Sequence, residues 1–110
     1  MTNIDRLMLA VVQVQDERKA IRALNQAGLT VTRLSSVGAF LGRRNVTLMI
    51  GLNQEKEETA VQAIHENCHE RVEYVSTPLE GAPLPIPLST PIIVGGATVF
   101  TIEVERYEEL

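Results

Sequence analysis

The segment Gly38-Ala39-Phe40-Leu41-Gly42-Arg43-Arg44-Asn45 places an aromatic ring, an aliphatic side chain, two adjacent guanidinium groups and an amide in one glycine-bearing loop. That mixture suits a ligand joining an aromatic ring to an anion. Two arginines can hold a phosphate by forked hydrogen bonds. Asn45 offers a donor and an acceptor to an adenine edge, and Phe40 can cover a base. The competing reading is a solvated hairpin turn with two surface arginines, and from spacing alone it is the commoner outcome. No P-loop or dinucleotide fingerprint accompanies the segment.

A second glycine pair, Gly95-Gly96, interrupts a β-branched run that ends at Phe100. Glycine inside a strand marks a bulge, or a place where something approaches the backbone closely. Spacing favours the structural reading here, and favours Phe100 as a core residue. His65, Cys68 and His69 fall near one face of a helix and carry good ligands for zinc or copper. No second Cys or His cluster completes a four-ligand site, and Cys68 belongs to the apolar stripe of its helix, so no metal site is expected. Both histidines of the chain lie in that helix. With one cysteine and no serine elbow, no catalytic residue is assigned and no cofactor is expected. Glu103, Glu105, Glu108 and Glu109 read as a solvated edge that discourages pairing with foreign strands.

The 110-residue chain carries a net charge of −4, 45% hydrophobic residues and no tryptophan. One domain over residues 1–110, with an aliphatic core, fits that length. The acidic balance argues against nucleic acid as a partner. A single cysteine fits a reducing, cytoplasmic setting. No apolar run approaches a membrane span, and the N-terminus lacks a signal-peptide pattern.

These residues need a scaffold, and the pattern predicts one. Residues 7–14 are almost continuously apolar, as in a buried central strand. Asp16 is placed to cap a helix whose inner face carries Ala20, Leu24 and Ala27, and Gly28 stops it. Residues 29–37 alternate as a half-buried strand with Thr30 and Thr32 on one face. Residues 46–52 form another strand. Asn53 caps a second helix with Val61, Ile64 and Cys68 on its apolar stripe. Residues 71–76 read as a short strand. Residues 78–91 hold all five prolines and cannot form a regular central strand. That connection is long enough to suggest function or an interface. Strand character resumes over residues 92–107. The fold class is therefore α+β: a ferredoxin-like βαββαβ order with an extra C-terminal strand.

The chain resembles the PII-like cyclic di-AMP receptor proteins of bacteria. The resemblance spans nearly its whole length. It is carried by Ala10-Val11-Val12-Gln13, by Gly38-Ala39-Phe40-Leu41 with Asn45, by Gly51 and Cys68, and most specifically by Val94-Gly95-Gly96-Ala97-Thr98-Val99-Phe100 with Val104-Glu105. The short connection after the second strand and the long proline-rich one also look like these receptors rather than the nitrogen-regulatory PII proteins. The resemblance implies a PII-like homotrimer that binds one cyclic di-AMP in each cleft between subunits. Thr32 would then contact a phosphate, and Phe40 and Leu41 would line the cleft. Asn45 would bond adenine, Gly51 would allow close approach, and Phe100 would contact the base. Such receptors place a phosphate-binding arginine where this chain has Thr30, and a glutamine where it has Glu109. Arg43 and Arg44 stand where they have small residues and would supply charge from another direction.

The expected function is a non-enzymatic signal receptor whose loops reorder on binding and address a protein target. Two alternatives stay open. One is a related trimer for another adenine nucleotide or small anion, and the other an interaction module without a nucleotide. An acylphosphatase-type enzyme is disfavoured because residues 13–16 lack a glycine-rich oxyanion loop with arginine.

Overall fold

Alternation along two central strands sets the architecture. Strand β1 (Arg6–Gln13) buries Met8, Ala10 and Val12, and strand β4 (Arg43–Leu52) buries Val46, Leu48, Ile50 and Leu52. Successive side chains in a strand point to opposite faces, so these residues line one side of a sheet. Helices α1 (Glu17–Gln26) and α2 (Glu57–Cys68) cover that side with Ala20, Leu24, Ala60, Ile64 and Cys68. The computed structural model describes residues 3–34, 39–40, 43–78 and 87–110, with side chains except at 39, 40, 43, 76–78, 87 and 88.

Strands β2 (Val31–Leu34), β3 (Ala39–Phe40), β5 (Arg71–Pro78), β6 (Pro87–Val94) and β7 (Ala97–Glu103) complete the described elements. The main sheet runs β2-β4-β1-β7, with the short β3 also on β4, and all its pairings are antiparallel. This is the expected ferredoxin-like α+β arrangement. The place beside β1 goes to the last strand, β7. Strand β5 instead leaves the sheet after α2 and pairs with β6 as a separate two-stranded ribbon.

That ribbon refines the reading of the proline-rich stretch. Pro91 stands opposite Tyr74 inside a paired strand. In a two-stranded ribbon both strands are edges, so the missing N–H of proline need not break a ladder on both sides. Residues 79–86, between the two strands, lie outside the described residues. The radius of gyration is 18.2 Å, against about 13 Å for a compact chain of this length. A ribbon paired with no strand of the main sheet fits so extended a shape.

Two local expectations change. Val61 is exposed, and the inner stripe of α2 is Ala60, Ile64 and Cys68, which repeat at i+4 spacing. Asn53 does accept from the Glu55 amide (3.0 Å), capping the 3-10 turn that opens α2. Asp16 makes no cap bond, because its carboxylate is engaged elsewhere.

Candidate functional site

The second face of the sheet is uncovered by any described element, and the residues of interest lie on it. Register gives a row of four side chains across the strands: Thr32 on β2, Met49 on β4, Leu9 on β1 and Phe100 on β7. A parallel row contains Gly51, Leu7 and Ile102. Phe100 and Ile102 are 55% and 51% exposed, a large apolar surface for a free subunit. Phe100 is thus not a core residue of the isolated chain. Thr32 and Phe100 occupy opposite edges of the sheet. Three strand spacings separate them, roughly 14 Å. At Gly51 a Cβ would stand 3.1 Å from Ile4 Cδ1, so the missing side chain makes room for Ile4 on this face.

Asn45 belongs to the same face and pairs in register with Gln13. Arg44 has the opposite parity, that of buried Val46. It helps to line a groove of about 410 Å³ with Gln13, Val14, Gln15, Ile92, Ile93 and Val94. The Arg-Arg-Asn run is therefore a strand end whose neighbours Arg44 and Asn45 serve different surfaces. Its residue types suggest a single loop grip, and strand alternation through residues 43–45 divides that grip in two. Arg43 pairs with Phe40 in the short β3–β4 ladder, which fixes these two by backbone only. Leu41 lies outside the described residues.

The groove ends at the root of the ribbon, where polar side chains converge. Gly95 N donates to Gln13 Oε1 (2.7 Å), and Gly96 N donates to the Cys68 carbonyl (2.5 Å). Asp16 is 1% exposed and receives both ends of the Arg71 guanidinium, Nη2 at 2.7 Å and Nη1 at 3.2 Å. Arg71 Nη1 also donates to the His69 carbonyl, and its Nε to Glu73. The hydrogen bond to Asp16 holds Arg71 protonated beyond even its usual range. A buried carboxylate is tolerable only with such a partner. Both glycines have positive φ, 84° and 97°. They turn the chain from the ribbon into the main sheet, so their structural reading is the one that holds.

Comparison with known proteins bears on this arrangement. Residues 5–110 match the model of a family described as cyclic-di-AMP receptor. The chain belongs to the cyclic-di-AMP receptor family. That is a family of nucleotide-binding signal receptors, not of catalysts. The fold is also that of a crystal structure from Pediococcus pentosaceus described as a functionally unknown protein. That protein is 30% identical, with a TM-score of 0.76 over 97% of this chain and 98% of the other.

Within this receptor the helix cluster is occupied by packing. Cys68 is fully buried, and burial with the nearby Asp16 carboxylate pushes its thiol up to about 11. The His69 ring sits on the His65 carbonyl (3.1 Å). Among the described residues no three acidic, His or Cys side chains gather as metal ligands, and no helix is long and apolar enough to cross a membrane. The raised thiol has a consequence for stability. The folded value lies above the ordinary 9.0, so the contribution is complete below pH 9 and is lost as pH rises through about 11. Two units correspond to about 2–3 kcal/mol. Between pH 8.5 and 11 the unaltered receptor should lose that much more stability than Cys68→Ala in urea unfolding. Equal losses would show that the buried thiol does not control this range.

Sequence reasoning missed Gln13, Asp16 and Arg71 as a group. The contacts that fix them, Asp16 with Arg71 and Gln13 with Gly95, span 55 and 82 residues of chain, and no local spacing signals either. Asp16 carries a signal that reads as a cap, and Gln13 a resemblance without a role.

Proposed function

We propose that the protein is a one-domain cytoplasmic receptor, residues 1–110, that binds cyclic di-AMP in clefts between the subunits of a homotrimer. The observation that supports this most is the row Thr32–Met49–Leu9–Phe100. Its two ends lie on opposite edges of one sheet, roughly 14 Å apart. They come together when the β2 edge of one copy meets the β7 edge of another. Such a contact is head-to-tail, and it ends only by closing into a ring. Three copies would also cover the apolar face carrying Leu9, Phe100 and Ile102.

In this reading Thr32 donates to a phosphate and Asn45 bonds an adenine edge. Phe100 contacts a base, and Phe40 and Leu41 line the cleft. Gly51 allows close approach, Arg43 supplies cationic charge to the phosphates from the strand face of Asn45, and Arg44, on the other surface, adds to it by longer-range attraction. Binding orders the neighbouring loops and changes the surface offered to a protein target. One observation favours a second reading, another adenine nucleotide or small anion. Position 30 holds an exposed threonine beside Thr32 and brings no cation to that edge, which suits a small anion or a nucleotide with fewer charges than the two of cyclic di-AMP.

Calorimetric titration with cyclic di-AMP, ATP and ADP, alongside sedimentation equilibrium, tests the proposal. The expected result is a trimer that binds cyclic di-AMP, with Asn45→Ala binding about tenfold more weakly because a base edge loses its partner. A mononucleotide alone binding would favour the second reading. A micromolar monomer would remove the composite cleft, and silence from all three ligands would leave an interaction module.

A further inference from the structure

We propose that Gln13 is a positioning residue that couples the nucleotide cleft to the β5–β6 ribbon, with the Asp16–Arg71 pair as the fixed pivot of that ribbon. This rests on the reading of Asn45 as a ligand contact.

Gln13 is the last residue of β1 and faces two structures at once. Across the sheet its partner in register is Asn45. Across the chain its Oε1 accepts from the amide of Gly95, the first residue after the ribbon. A displacement of the β4 end that follows from ligand contact at Asn45 therefore reaches Gly95 through one side chain. Gly95 cannot absorb it by moving inward. Its Cα lies against the Arg71 guanidinium and the His69 carbonyl so tightly that a Cβ there would stand 2.6 and 2.4 Å from them.

Arg71 is the first residue of β5 and pairs with Val94, the last residue of β6. Its guanidinium reaches the carboxylate of Asp16, buried at the start of α1. That contact is two-pronged and charge-assisted, which fixes orientation as well as distance. One side of the ribbon root is thus pinned by an ion pair. The other is held by two neutral hydrogen bonds, Gly95 N to Gln13 Oε1 and Gly96 N to the Cys68 carbonyl, and only the first of them ties the ribbon root to β1. A root with one strong attachment and weaker ones can swing about the strong one when a weak one is pulled. The ribbon beyond it carries exposed Val72, Tyr74, Val75 and Ile93. A two-stranded ribbon with little packing is marginally stable in water, so its order responds to small changes at its base.

Backbone hydrogen exchange on the intact protein, with and without cyclic di-AMP, tests this in unaltered protein, Gln13→Leu and Gln13→Glu. In the free protein Gln13→Leu should speed exchange at Gly95 and in the ribbon roughly three- to tenfold, the equivalent of one lost hydrogen bond. Helix amides should not change. Gln13→Glu keeps an acceptor and should restore the slow exchange. With cyclic di-AMP the ribbon amides of the unaltered protein should change their rate. In Gln13→Leu the nucleotide should still bind, and that change should vanish. Unchanged ribbon exchange in free Gln13→Leu would overturn the attachment. A ribbon that still responds to bound nucleotide in Gln13→Leu would overturn the coupling. Failure of the unaltered protein to bind cyclic di-AMP would overturn the cleft reading and the coupling together. It is distinguishable because the exchange difference in the free protein would persist.

Discussion

Gly95→Ala should destabilise the protein by about 3–4 kcal/mol, while Gly96→Ala, one residue on, should cost only about 1–2 kcal/mol. Both glycines have a positive φ, so each alanine meets the same left-handed penalty. They differ in what the methyl group would touch. At Gly96 nothing lies within 4 Å. At Gly95 the methyl would stand 2.4 Å from the His69 carbonyl oxygen and 2.6 Å from Arg71 Nη1. The first obstacle is backbone at the end of α2. The second is a guanidinium held by a buried carboxylate. Neither can step aside without breaking a bond, so the overlap adds to the backbone strain. Urea unfolding of the two variants at equal protein concentration and equal m-value reads the difference. Similar midpoints for the two would mean that the ribbon shifts freely at its root and is not anchored there.

The same position shows what the sequence disclosed and what it withheld. Gly95-Gly96 is recognisable as a break in a strand run, because glycine weakens a strand interior and is kept there for a bulge, a bend or a close approach. Which of these it serves is not recognisable. The run on either side belongs to two different sheets, and only the tertiary structure separates Pro87–Val94 from Ala97–Glu103. The βαββαβ frame is legible because periodicity is local: Met8, Ala10 and Val12 alternate, and Ala20 and Leu24 repeat. The ribbon is not. Prolines argue against a central strand, and nothing in the pattern says that both strands would be edges. Among the candidate site residues, Thr32, Gly51 and Phe100 come from resemblance, and the register puts them on one face. Their separation along that face is a property of strand order, which spacing in sequence does not encode. Asp16 shows a genuine conflict of signals. An aspartate before a helix normally caps it, but a distant arginine competes for the carboxylate and takes it.

Thr30→Arg should tighten cyclic di-AMP binding roughly tenfold, the equivalent of one charge-assisted hydrogen bond to a phosphate. Position 30 immediately precedes β2, is exposed, and shares strand parity with Thr32 at the edge proposed to meet a neighbouring subunit. A guanidinium there enters an open site, so folding should be almost unaffected. The gain should shrink as salt rises, because part of it is long-range attraction. Arg43→Ala combined with Arg44→Ala should act in the opposite direction in the unaltered background, since these residues are proposed to supply the cationic charge that position 30 lacks. Carried in one chain, the three substitutions should be non-additive if all the cations serve the same two phosphates. Additivity would instead confine Arg44 to the groove with Ile92 and Val94, away from those phosphates. Titration calorimetry at two ionic strengths measures all of these quantities. If Thr30→Arg leaves a folded trimer with the same or weaker affinity, and the double alanine variant binds as well as the unaltered protein, no phosphate lies between the β2 edge and the arginines. The receptor fold would then hold its nucleotide in another orientation, or hold a ligand whose charge is smaller than that of a cyclic dinucleotide.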